Sequence, residues 1–167
     1  MIHLYLVRHA IAGARDPVKY PDDERRPLTR EGMQQFSRAA RGIGALAGEV
    51  DCLLTSPLLR AVQTATILRE VAGLPVPRQE PALSPERGSH GVLALLAATQ
   101  ARAMVIVGHE PDLGRLLSAC VTGRDDGLRV RIRKGAVACV SFDRKLAAGR
   151  GQLEWLLQPK ALRELRL

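Results

Sequence analysis

Four side chains in this sequence stand where chemistry is commonly done. Arg8 and His9 directly follow the apolar run Leu4-Tyr5-Leu6-Val7, and His109 follows Met104-Val105-Ile106-Val107-Gly108. Arg60 lies a few residues beyond a third run, Cys52-Leu53-Leu54-Thr55, after Ser56-Pro57. Two guanidiniums suit a phosphoryl group, because each presents a planar fork of donors to its oxygens. One imidazole can attack phosphorus, and a second can donate hydrogen bonds to the same oxygens. Nucleophilic catalysis of this kind replaces one hard displacement with two easier ones. A polar strand end would account for Arg8 and His9 alone. A second strand ending in histidine, and a helix bearing an arginine after a third, make chemistry the better explanation.

These residues need a support that brings them together. Short runs rich in strand formers and apolar throughout are the mark of strands buried on both faces. In an open α/β sheet such strands deliver their next residues to the crevice at the carboxyl edge, where ligands bind. The segment from Ala10 to Pro27 carries Gly13, Pro17 and Pro21 among many charges, so it reads as a long loop whose charges are solvated. Thr29 is a suitable N-cap for a helix whose apolar stripe is Met33, Phe36, Ala40, Ile43 and Ala47, with Gly48 as its stop. Ser56-Pro57 reads as an N-cap followed by proline at the first helical position, opening a helix to about Glu70 or Val71. Arg60, Gln63 and Thr64 would share one face of its first turns, with the helix dipole favouring an anion there.

Farther on, Val76 to Glu80 reads as a short edge strand, and Val92 to Ala98 as helix. Asp112 can cap a helix running through Leu113, Leu116, Leu117 and Cys120. Arg129, Arg131 and Arg133 alternate with Val130 and Ile132, the pattern of a strand with one wet face. Ala136–Phe142 and Gln152–Leu157 read as an antiparallel pair, and Leu162 and Leu165 as part of a short tail helix. The alternation predicts an α/β fold: a three-layer α/β/α sandwich on a mainly parallel sheet with an antiparallel C-terminal strand pair, residues 1–167 forming one domain.

Composition narrows the function. The chain is 46% hydrophobic, with no run approaching a membrane span, and Arg8 and His9 interrupt the N-terminal apolar run too early for a signal peptide. The expected location is the cytoplasm. Three widely spaced cysteines, Cys52, Cys120 and Cys139, suit small core residues in a reducing compartment. A net charge of +8 fits anionic substrates or an acidic partner, and with aromatic residues at only 3%, the stacking platforms of single-strand binders are nearly absent. Neither membrane nor nucleic acid is an expected partner.

The ordered motifs resemble the histidine phosphatase superfamily. Leu6-Val7-Arg8-His9 matches its hallmark, with Ala10 where glycine is usual. Arg26-Pro27-Leu28-Thr29 with Gly32, Ser56-Pro57-Leu58-Leu59-Arg60-Ala61-Val62-Gln63-Thr64, Leu83-Ser84-Pro85 with Gly88, and Gly108-His109-Glu110-Pro111 extend the likeness to the small SixA-type phosphohistidine phosphatases. The resemblance implies that His9 is the phosphorylated nucleophile and that Arg8, Arg60 and His109 bind the phosphoryl group; Thr64, on the helix face of Arg60, is a further candidate substrate-binding residue. It implies a metal-independent hydrolase with no cofactor, acting on a phosphorylated protein or a small phosphorylated substrate. Larger members carry a carboxylate that protonates the leaving group. Here Glu86 is the candidate proton donor, with Asp16 and Asp23 in the first loop as further acids.

Rival chemistries fit less well. No cysteine has the arginine six positions later that a cysteine phosphatase requires, and His3, His9, His90 and His109 form no zinc-type repeat. His3 opens a strand and belongs at the edge opposite His9, and His90 suits the surface. A phosphomonoesterase for a small metabolite is the alternative enzyme. A non-catalytic module binding through Arg129, Arg131 and Arg133 would have no use for His9 and His109.

Overall fold

The computed structural model describes residues 1–165. Its strands are β1 (Ile2–Arg8), β2 (Cys52–Thr55), β3 (Arg78–Gln79), β4 (Ala103–Gly108), β5 (Val137–Phe142) and β6 (Gln152–Leu157). They form a sheet in the order β3-β2-β4-β1-β5-β6. The pairs β2–β3, β2–β4 and β1–β4 are parallel, while β5 is antiparallel to both β1 and β6. The helices are α1 (Arg30–Ala47), α2 (Leu59–Ala72), α3 (Ser89–Ala98), α4 (Asp112–Thr122) and α5 (Pro159–Glu164).

Alternation along the central strands explains the continuous apolar runs. Tyr5 and Val7 of β1, with Val105 and Val107 of β4, pack against α1, α2 and α5 through Phe36, Ile43, Leu68 and Leu162. Leu4, Leu6, Met104 and Ile106 face the opposite layer, where Val92, Leu96, Leu113 and Leu116 of α3 and α4 meet them. Both faces are dry, so neither set can be polar. This is the expected α/β/α sandwich.

Local signals set several boundaries. Thr29 caps α1 by accepting from Gly32 N, and Gly48 ends it with φ +63°. Three expectations are corrected. Asp112 does not cap α4 but is its first residue, with Pro111 as the N-cap. Ser56-Pro57 does not begin the second helix: α2 starts at Leu59 with Leu58 as its N-cap, leaving the Ser56 side chain free for another task. Nor do Arg129 to Arg133 form a strand. The segment is loop, and Ile132 is buried between exposed Arg131 and Arg133. Its hydrogen bonds go to side chains of other elements, with Ile132 N donating to Glu110 Oε1 and Arg133 N to Gln158 Oε1.

Cys120 and Cys139 are buried, Cys52 is half-buried, and all three are free thiols. No helix among the described residues is long and apolar enough to cross a membrane.

Candidate active site

Sheet register assembles the site. In the β1–β4 ladder Arg8 pairs with Gly108, and His9 N then donates to Gly108 O at 3.1 Å. The next residue of each strand is therefore beside the other. The His9 and His109 rings lie with centroids 5.1 Å apart, tilted by 51°. On the other side of β4, Ser56 N donates to Val107 O, which brings Ser56 to the same edge. Its hydroxyl lies 2.8 Å from His109 Nε2 and also accepts from Leu58 N.

His9 is held in one tautomer. Its Nδ1 lies 2.7 Å from the Ala10 carbonyl oxygen, which can only accept, so Nδ1 carries the proton and Nε2 keeps its lone pair. Burial, opposed by that carbonyl and assisted by His109, Arg60 and Arg8, pushes the His9 pKa down to about 3. His109 is pushed down to about 3 as well, by burial first and then by Arg60 and Arg8. Both rings are neutral at ordinary pH. A neutral imidazole with its lone pair exposed among cations is a nucleophile suited to an anionic electrophile.

The clamp comes from two arginines tethered at one end. Arg8 Nη1 donates to Ile132 O at 2.9 Å, and Arg60 Nη1 donates to Asp23 O at 2.9 Å. Arg60 Nη2 also lies 3.2 Å from Asp23 Oδ2. Arg8 Nε and Arg60 Nε are buried and have no protein acceptor among the described residues. Buried donors are nearly always paired, so two unpaired ones in a single cavity mark a place for an oxyanion.

That cavity is lined by Arg8, His9, Arg15, Arg26, Arg60, His109, Glu110 and Lys134, together with Ala12, Gly13, Ala14 and Pro85. It brings together His9, Arg8, Arg60 and His109 of the residues anticipated from the sequence. The other two stand elsewhere. Thr64 is fully buried, and its hydroxyl accepts from Ala10 N at 3.0 Å and donates to Arg60 O at 2.7 Å. It braces the backbone after His9 and does not line the cavity. Glu86 is exposed, with φ +64°, and stands outside the lining, where Pro85 takes the nearest place.

Other residues line the cavity as well. Arg26, read as solvated, is 5% exposed: its Nε donates to Asp23 Oδ1 at 2.7 Å and its Nη1 to Gly13 O at 2.6 Å. The Arg26 hydrogen bond is the main cause that holds the Asp23 carboxyl below its ordinary value. Glu110 accepts from Gly114 N and Ile132 N, one per oxygen, and burial pushes its carboxyl up. Lys134 belongs to the turn before Gly135, whose N–H donates to both Arg8 O and His9 O, at 3.0 and 3.1 Å. Burial first, then Arg8, Arg26, Arg60 and Arg15, lower the Lys134 pKa. Only Arg26 and Glu110 stood in recognisable motifs; no local pattern distinguishes Arg15 or Lys134.

The loop that follows His9 is pinned from several sides. Thr29 N donates to Ile11 O, Gly13 N to Pro27 O, and Gln63 Oε1 accepts from Leu28 N. Gly32 permits the closest approach, since a Cβ there would lie 2.1 Å from Ile11 O. No cluster of three or more His, Cys, Asp or Glu side chains placed to hold a metal ion occurs among the described residues.

Comparison with known proteins agrees with this geometry. Residues 4–85 match the model of the histidine phosphatase superfamily, branch 1. An uncharacterized protein of Picosynechococcus sp. is 39% identical over 141 residues, covering 81% of this chain and 82% of that protein. Phosphohistidine phosphatase SixA of Escherichia coli K12 is 26% identical over 163 residues, covering 95% of this chain and 94% of that protein. Among solved structures, that of the protein histidine phosphatase SixA complexed with tungstate superposes with a TM-score of 0.84. It is 25% identical to this chain, covering 96% of this chain and 99% of that one.

Proposed function

Because the chain belongs to the histidine phosphatase superfamily, in its SixA-type branch, we propose that this phosphatase acts on phosphohistidine of a partner protein. The observation that carries the reading is the His9 tautomer, with Nδ1–H held by Ala10 O beside two buried, unpaired guanidinium nitrogens. In the first step His9 Nε2 attacks phosphorus, and the bond from phosphorus to the substrate imidazole breaks. The leaving imidazole takes a proton from solvent and departs neutral. Ala10 O stabilises the positive charge that grows on the His9 ring, while Arg8, Arg60 and His109 hold the equatorial oxygens. In the second step water attacks the phosphorylated His9, releasing inorganic phosphate and restoring the free ring.

The carboxylates favour N–P over alkyl O–P cleavage. An alkoxide needs a proton from a placed acid, whereas an imidazole leaves with little help. Asp23 is ionised between Arg26 and Arg60, and Glu110 has both oxygens engaged by backbone N–H groups. Glu86 stands outside the cavity. A small-metabolite phosphatase is the second reading, and the burial-raised carboxyl of Glu110 is the observation in its favour.

Side-by-side turnover separates the two. The expected order of kcat/KM is phosphohistidine above nitrophenyl phosphate above sugar phosphates, with a labelled, acid-labile, base-stable adduct that vanishes in His9→Ala. Activity is expected to survive chelators. Sugar phosphates turned over fastest, with a large loss in Glu110→Gln or Glu86→Gln, would establish the metabolite reading instead.

A further inference from the structure

We propose that the row Arg129, Arg131, Arg133 and Lys134 is a docking surface for an acidic face of the phosphorylated partner protein. The inference rests on the reading that this substrate is a protein, and it names the chemistry that recognises it. All four side chains are exposed, and none has an ion-pair or hydrogen-bond partner among the described residues. Surface cations without a local acid are free to meet charge on another molecule.

The row is rigidly joined to the site. Ile132 is buried in the core, its carbonyl accepts from Arg8 Nη1, and its N–H is held by Glu110. Arg133 N and Arg131 O are bound by the two ends of the Gln158 amide. Gly135 N then fastens the turn to the carbonyls of Arg8 and His9. Arg131 and Arg133 therefore flank a buried residue in a segment held at 131, 132, 133 and 135, Arg129 precedes it, and Lys134 stands on the rim of the cavity.

Charge and position select the partner. The cavity is lined by five cations, namely Arg8, Arg15, Arg26, Arg60 and Lys134, with Glu110 as the one carboxylate among its lining residues. A phosphoryl dianion leaves a positive surplus at the mouth, which continues outward along the arginines. Arg129, Arg131 and Arg133 lie outside the cavity lining, which the segment enters only at Lys134, so a ligand that meets them as well as His9 must cover surface beyond the cavity, as a protein does. An acidic protein face suits the row better than nucleic acid, since its residues include no aromatic side chain on which a base could stack.

The test uses full-length protein and two phosphohistidine peptides of equal length, one with glutamates flanking the phosphorylated residue and one with glutamines. Affinity is read on His9→Ala, or on the near-isosteric His9→Asn, so that no hydrolysis intervenes. At low ionic strength the glutamate peptide is expected to bind at least about tenfold more tightly, with the gap closing in high salt. The triple change Arg129→Ser, Arg131→Ser, Arg133→Ser should reduce the preference to less than about threefold, and lysines at the three positions should largely keep it. Equal affinity for the two peptides, or a full preference retained by the serine variant, would overturn the proposal. So would an oligonucleotide of matched charge that displaces the glutamate peptide at lower concentration. Wild-type hydrolysis without preference refutes the docking surface alone. Preference without hydrolysis by the wild-type protein upholds the surface and refutes the phosphohistidine reading.

Discussion

The Ser56 hydroxyl lies 2.8 Å from Nε2 of His109, and both groups are buried. The contact exists because β4 lies between β1 and β2, so that the residue after β2 abuts the residue after β4. Ser56 thereby sets the orientation of the second imidazole over the cavity.

Removing that hydroxyl should therefore weaken catalysis more than folding. Ser56→Ala leaves a buried ring nitrogen unpaired, an effect of about 1–2 kcal/mol, or roughly 5- to 30-fold in kcat/KM. Acting through His109, it should cost much less in a His109→Ala background. Additive losses in that double-mutant cycle would show that Ser56 acts independently.

Arg60 needs its fork as well as its charge. Arg60→Lys keeps the cation but gives up the Asp23 tether and the planar donors, and should lose on the order of 10- to 1,000-fold in kcat/KM. Asp23→Asn should lose less, roughly tenfold, because Asp23 holds Arg60 and Arg26 from outside the cavity lining. Steady-state kinetics on nitrophenyl phosphate checks both, and an Arg60→Lys enzyme as active as wild type would place Arg60 outside the transition state.

The two depressed imidazoles affect stability and activity differently as pH falls. Their folded pKa values are about 3 against an ordinary value of 6.5. Between those limits the unfolded chain binds more protons than the folded one, so stability falls as pH falls from about 6.5 towards 3. Chemical denaturation at a series of pH values should show that loss, reduced in His9→Gln. Activity should differ: kcat/KM should show no acid limb near 6.5 common to all substrates. A limb that follows the substrate phosphate pKa is expected, and one fixed across substrates would indicate that His9 titrates there.

Gly32 is predicted to be irreplaceable for packing reasons. A Cβ at that position would stand 2.1 Å from Ile11 O, which is main chain and cannot swing aside. Gly32→Ala should destabilise the protein by about 1–3 kcal/mol and, by displacing Ile11 just beyond His9, lower kcat more than KM. Thermal melts with parallel kinetics test it, and an unchanged melting temperature would mean that α1 shifts without strain.

Local chemistry alone was enough for much of this molecule. Short apolar runs rich in strand formers and bounded by polar or turn residues read as strands with two dry faces, and Thr29 and Gly48 carry the start and stop of α1 in their own side chain and backbone freedom. Arg8, His9, Arg60 and His109 were legible for the same reason, since each follows an element whose end is written in neighbouring residues. Tertiary structure decided what depends on contacts between distant segments. Only the strand order placed Ser56 beside His109, and only the return of the first loop put Asp23 between Arg26 and Arg60. Alternation in Arg129 to Arg133 suggested a strand, yet the ladder position beside β1 is occupied by β5. The segment is held instead by Glu110, Gln158 and Arg8, partners 22, 25 and 124 residues away from the atoms they bind. A period-two pattern records which side chains are buried; it holds no information about which hydrogen-bonding partner will arrive from elsewhere in the chain.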